Sequence, residues 1–409
     1  MRSIPAARGH VVPLLQNGFR PFFLGGALWL AFATPYWLWL LLDGRSGWSR
    51  LDPLAWHQHE TLFGGIGAIV VGFLLTAVPN WTGRLPLRGR PLLLMALLWA
   101  VARGANLTSS VLPPWLAPLL DAGFLTAVTL FASREIWVGR NWRNLPLVGL
   151  VGAFALAAWG SHLASLGIGD GDVWRRFGIA AVVLLVGLIG GRVVPSFTTN
   201  WLKKRGEAHL PIPFGRFDVA SLALLAVTML AWTVAPDARL TAWVALAAGV
   251  VHLVRLARWC GHRTLAEPLV TILHVGYLWV GVGLVLVGLV GLVPALVGLN
   301  TTHALTAGAL GTMTLAVMTR ASLGHTGRAL VADGPTIAIY ALVVLGALVR
   351  VVGDVAGMGF TTARLVAALA WSGAYLGFAL HYGPMLVRPR TDAVADGPAG
   401  AAEAARERG

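Results

Sequence analysis

Cysteine is all but missing from this chain, and charge is scarce. One cysteine, Cys260, stands among 409 residues, which excludes an intrachain disulfide, a Cys-ligated iron–sulfur cluster and any copper site needing two thiolates of this chain. Metal chemistry would have to rest on nitrogen and oxygen donors. Charged residues make up only 12% against 57% hydrophobic, with a mean hydropathy of +0.73. Acidic groups are the scarcer sign, 17 against 31 Lys and Arg. No polar stretch between the ends is long enough for a soluble domain.

What fills the chain instead is a series of apolar runs. A hydrocarbon core of roughly 30 Å takes about 20 apolar residues per helix. Twelve segments meet that length between charge or Pro/Gly breaks: 20–42, 57–79, 91–110, 114–133, 145–167, 177–195, 217–235, 239–258, 269–293, 300–319, 335–352 and 361–386. The expected fold is all-α, a polytopic membrane protein of about twelve transmembrane helices forming one domain over 1–390. The first run is too long for a signal peptide and lacks a small-residue cleavage site, so it is read as a retained helix. Residues 391–409, rich in Ala, Gly, Glu and Arg, are expected to form a disordered tail. No internal repeat is evident.

The net charge of +14 raises the question of a nucleic-acid partner. When segments are assigned alternately to two sides, most Lys and Arg fall on the side of the N-terminus, including Lys203-Lys204-Arg205. Excess Lys/Arg marks cytoplasmic loops. Both termini are therefore expected in the cytoplasm, and no nucleic acid is expected.

That orientation sorts the histidines by depth. His57, His59, His162 and His303 fall near outer helix ends, with Glu60 beside them. His252, His274, His381 and His325 fall toward inner ends, and His10, His209 and His262 lie in polar segments. His303 and Arg320 are separated by roughly 26 Å of helix rise, so the two layers cannot share an ion. Intramembrane ionisable groups are functional candidates by default, although a buried histidine can simply hydrogen-bond across a helix interface. Residues two apart on a helix point about 200° apart, so His57 and His59 cannot grip one ion from regular helix. They serve different neighbours. His57 shares a face with Glu60, Gly64 and Gly72, a small-residue strip open to a flat macrocycle or a neighbouring helix. Met313 and Met318 are possible soft ligands but read as packing.

A second constellation gathers at inner helix ends: Asn17-Gly-Phe-Arg20-Pro, Asn80-Trp81-Thr-Gly-Arg84, Gly191-Arg192 and Gly324-His325-Thr-Gly-Arg328. Arginines there can clamp carboxylates such as haem propionates or simply anchor the inner face. Acidic groups at membrane depth are limited to Glu60 and Asp121, too few for a transmembrane proton relay.

Gly-Phe-Arg20-Pro-Phe-Phe, Trp56-His57-Gln-His59-Glu60, the run from Gly72 to Asn80-Trp81-Thr-Gly83, Leu273-His274-Val-Gly-Tyr277 and Met318-Thr-Arg320-Ala-Ser-Leu-Gly-His325-Thr-Gly-Arg328 occur in order. Together they resemble the NnrS family from about residue 17 to about 390. The resemblance implies a multi-pass protein of the bacterial inner (cytoplasmic) membrane, linked to denitrification and nitric oxide stress and carrying haem, expected of the b type, and copper. It puts His57, His59, Glu60, His274, His303 and His325 in motif positions as the best metal and cofactor ligand candidates. On chemistry, Glu60 is read as a catalytic group passing protons in from the outer side, and Arg20, Arg84, Arg192, Arg320 and Arg328 as cofactor-binding groups. The expected partners are nitric oxide or another small diatomic, an electron donor outside the chain, and the lipid bilayer. The competing readings are a twelve-span transporter, against which the chain shows no paired broken helices, and a metal- or haem-delivery factor without turnover.

Overall fold

The computed structural model describes residues 11–391. The tail reading therefore falls almost wholly outside the described residues, as does His10. Among them there is no strand, and twelve helical rods follow one another: α1 Phe19–Asp43, α2 Pro53–Thr82, α3 Arg90–Leu107, α4 Leu116–Val138, α5 Leu145–Ser165, α6 Gly171–Lys204, α7 Arg216–Val234, α8 Arg239–Ala257, α9 Pro268–Leu292, α10 301–325, α11 Gly334–Val352 and α12 Phe360–Leu386. Ten are long and apolar enough to cross a membrane. The two others are α3, which carries Arg103 and Asn106, and α10, in which threonines and glycines dilute the apolar residues.

The burial pattern is that of a protein dissolved in lipid. Large apolar side chains such as Phe32, Leu94, Leu130, Leu156, Leu230, Trp243 and Leu380 are exposed on the outside of the bundle, whereas Glu60, Arg103, Asp121, Asp218 and Arg255 are buried inside it. Water would reverse this distribution; a hydrocarbon surround demands it.

The rods pack with a threefold rhythm. α1 packs on α12, α5 on α4 and α9 on α8, so the first rod of each group of four lies against the last rod of the group before it. α2 and α6 have the largest buried share of any spanning helix.

α2 and α10 also share a local design that the sequence reading missed. Each opens on a side-chain cap: Asp52 accepts from Leu54 N and Ala55 N, and Asn300 accepts from His303 N. Each then switches to π-helix directly after a histidine, over Glu60–Ile66 following His59 and over Ala304–Gly311 following His303. Matching glycines follow (Gly64 and Gly308, Gly67 and Gly311), and each rod leads into Thr-Gly-Arg at the same distance, Arg84 from His59 and Arg328 from His303. The two are repeats of one unit, detectable because π-segments are rare and here sit in register.

Candidate functional sites at the histidine-bearing rods

His57 and His59 part company at the start of α2, as their spacing requires. His59 turns into a closed polar network. Its Nε2 lies 2.6 Å from Asp121 Oδ2 on α4, and His162 Nε2 on α5 lies 2.8 Å from the same oxygen. Arg103 on α3 donates from Nη1 to Glu60 Oε2 at 2.7 Å and from Nη2 to Asp121 Oδ1. Asn106 donates to Glu60 Oε1 at 2.9 Å, and Ser161 meets His59 Nδ1 at 3.1 Å. All five principal groups are at most 4% exposed.

The logic of the cluster is charge balance. A lone buried carboxylate is very costly, and breaking one partner from a buried pair exposes that cost. Here one guanidinium serves two carboxylates, which leaves one formal negative charge with neutral imidazoles. A proton or a bound cation would neutralise it. Among the described residues, His59, Asp121 and His162 are the only three or more His, Cys, Asp or Glu ligand atoms within 4.8 Å of one another.

His57 faces the other way. Its ring stacks on Trp37 of α1, with centroids 4.1 Å apart and planes at 22°. It lines a cavity of about 150 Å³ together with His303, Arg175, Arg350, Arg364 and Trp371. His303 holds Asn300 Oδ1 at 2.8 Å through Nδ1, an acceptor that fixes the proton on Nδ1 and leaves Nε2 as a lone pair. His57 Nδ1 is buried without a partner. Among the described residues no hydrogen bond satisfies the Nε2 of either ring. The rest of the wall combines apolar residues, including Leu54, Ile66, Ile179 and Leu310, with Gln58 and threonines such as Thr61 and Thr306.

Several expected groupings are redistributed. His303 joins His57 and not His59, while Glu60 belongs to the Arg103 network and does not line the cavity. The Gly64 and Gly72 strip admits neighbouring side chains, not a macrocycle: a Cβ at Gly72 would lie 2.9 Å from Phe23, and one at Gly64 would strike Arg103. The π-segment that begins at Glu60 changes the helical register, so residues beyond it no longer share the face of His57.

The histidines expected at inner helix ends do not converge. His252 is satisfied by Tyr277 and Ser221 O at 2.9 and 3.1 Å, and His274 Nε2 meets Thr198 at 2.8 Å with Nδ1 unpartnered. His325 is exposed beside Phe19, and His381 pairs with Asp333 at 2.8 Å.

The arginines expected at the inner surface each have a separate protein partner. Arg20 binds the carbonyls of Leu386 and Arg388, Arg84 pairs with Glu135, and Arg192 binds Asn144. Arg320 lies over Phe197, and Arg328 reaches Thr326 O.

Sequence reasoning passed over Arg103, Asn106, Arg350 and Arg364. Arg103 carried a usable signal, since an arginine inside an apolar run calls for a partner.

The fold and the two histidine sites define a multi-pass helical membrane protein with two groups of imidazoles, one buried and one lining a cavity. Residues 13–390 match the family described as NnrS protein, and the chain belongs to that family. Among curated proteins none matches the chain.

Proposed function

We propose that this is a metal-containing protein of the bacterial inner membrane that binds nitric oxide and so relieves nitrosative stress, with α1–α12 as twelve spans and both termini cytoplasmic. The observation that carries the reading is the cavity between His57 and His303. Two imidazoles with unshared Nε2 atoms line one cavity whose surface is mostly apolar by area, a donor set that suits copper or iron and leaves further coordination positions for a small ligand. A void near 150 Å³ holds a molecule the size of benzene. It therefore admits an ion with one diatomic, but not a porphyrin with the side chains as they stand. Copper is accordingly assigned to His57 and His303, and no role in this cavity is assigned to haem.

A bound metal ion would supply a Lewis-acidic, redox-active centre to which nitric oxide can add. The chain's own residues do the rest. Asn300 fixes the His303 tautomer, and an oriented ligand of this kind raises affinity for a metal. Trp37 holds the His57 ring by stacking, and Leu310, Ile66 and Ile179 keep the ligand side apolar. The gas is weakly polar and reaches this depth through lipid. Its reduction would draw electrons from a donor outside the chain.

A second metal position is favoured by one further observation, the His59–Asp121–His162 group. Its ligand atoms are already joined by hydrogen bonds, so an ion there must displace protons from the imidazoles. It ranks behind the cavity, where the donors are uncommitted.

Metal analysis with X-ray absorption on detergent-purified protein tests the assignment. The expected result is about one copper per chain with imidazole nitrogen ligation, lost in His57→Ala and in His303→Ala. Full copper content in both variants would overturn it.

A further inference from the structure

The cavity carries more positive charge than its walls neutralise. Three guanidinium groups line it. Arg364 forms a two-point pair with Asp354 at 2.8 and 3.1 Å and also donates to Phe360 O. Arg175 pairs with Asp172 and donates to Gln58 at 2.9 Å. Arg350 is different: half-buried near the end of α11, it makes no hydrogen bond and no close ion pair among the described residues. Asp354, committed to Arg364, reaches it only through space. Counting the guanidinium and carboxylate groups alone, the balance is one positive charge in excess, located on Arg350.

The Arg350 guanidinium lines a half-open cavity beside two imidazoles and has no acceptor among the described residues, so its donors are left for a ligand or water. An arginine that merely snorkels would direct its head group to open water or to a loop carbonyl. The planar fork matches two oxygens borne on one atom, the geometry of a carboxylate or a small planar oxyanion.

The geometry points to Arg350 as an anion-binding group of this cavity, taking a singly charged, planar oxyanion or carboxylate. Its source is either a free small oxyanion or the carboxylate arm of a larger cofactor entering from the mouth. The inference shares its cavity with the metal reading but rests on the charge balance alone, so the two can fail separately.

Isothermal titration of the purified full-length protein with sodium nitrite, repeated with formate, tests it, and cofactor retention through gel filtration is measured alongside. His303→Ala, which removes the proposed metal, distinguishes binding at Arg350 from binding to the ion. For a free oxyanion, wild type and His303→Ala bind one anion per chain, Arg350→Gln binds roughly ten- to hundredfold more weakly, and Arg350→Lys is intermediate. For a cofactor arm, neither salt titrates, but bound cofactor falls in Arg350→Gln and is largely kept in Arg350→Lys. Equal anion binding and equal cofactor retention in wild type, Arg350→Gln and Arg350→Lys would overturn the proposal. Should Arg350→Gln fail to fold, Arg350→Met takes its place, since it removes the charge and the fork while keeping the apolar stem: unchanged anion binding and unchanged cofactor retention in Arg350→Met contradict the inference.

Discussion

His59 and His303 occupy equivalent places in two copies of one unit, each the last residue before a π-segment, and they meet opposite surroundings. Around His59 the rods α3, α4 and α5 each contribute a complementary polar group, so Asp121, His162, Arg103 and Glu60 close on one another. Around His303 the corresponding space is lined by Trp37, Trp371 and arginines, and the imidazole nitrogen remains uncommitted. One site spends its donors on the fold, and the other keeps them for a ligand. A buried histidine is thus read by its unsatisfied atoms, not by its depth.

The largest effect should come from opening the closed network. Arg103→Met leaves Glu60 and Asp121 buried without their cation, a loss of about 3–5 kcal/mol. Thermal unfolding in detergent should show a marked fall in midpoint or no folded protein. A stability near wild type would mean that the network does not hold the fold.

The next comparison pits two histidines of one turn against each other. His59→Ala removes a partner of a fully buried carboxylate and should destabilise by about 1–3 kcal/mol. His57→Ala deletes a ring whose nitrogens have no protein partner, so it should cost only the stacking on Trp37, about 0.5–1.5 kcal/mol, while abolishing metal binding. Equal destabilisation by the two would erase the distinction drawn here.

This contrast also shows how far the sequence alone could go. The helical rods were legible because a helix surrounded by lipid must be long and apolar; the limits of the apolar runs agree with the twelve rods to within a few residues in most cases, and ten of the rods are long and apolar enough to cross a membrane. The parting of His57 from His59 followed from helical geometry. The partners did not. His303 lies more than two hundred residues from His57, and only packing brings them to one cavity. Arg103 gains meaning beside Asp121 on the next rod, a pairing no local pattern encodes. Arg350, near the end of an apolar run, carried no local sign of its place in the cavity. The repeat of α2 and α10 stayed hidden because few side chains match, Glu60 standing opposite Ala304, while the shared feature is the backbone's π-segment.

Packing should yield an intermediate effect. Gly160→Ala would drive a Cβ into Trp174 and should cost about 1–3 kcal/mol. Unchanged thermal stability would show that α5 and α6 can separate freely beside His162.

The smallest effect concerns the loop beside the cavity. Hydrogen bonds from Arg364 hold the Asp354 carboxyl below its ordinary value of 3.8. A depressed folded-state value stabilises above the ordinary value and is lost as pH falls through the lower one. Asp354→Asn should therefore reduce stability slightly at pH 5–7 and bring mutant and wild type together below pH 3. A gap that instead widens in acid would contradict the pairing.

The most direct test of the central claim is the optical and EPR difference spectrum on adding nitric oxide to the purified protein, compared between His57→Ala and His162→Ala. The account predicts that the nitric oxide signal disappears in His57→Ala and persists in whatever folded His162→Ala can be recovered. A signal retained in His57→Ala and lost in His162→Ala would place the centre in the closed network and contradict the account.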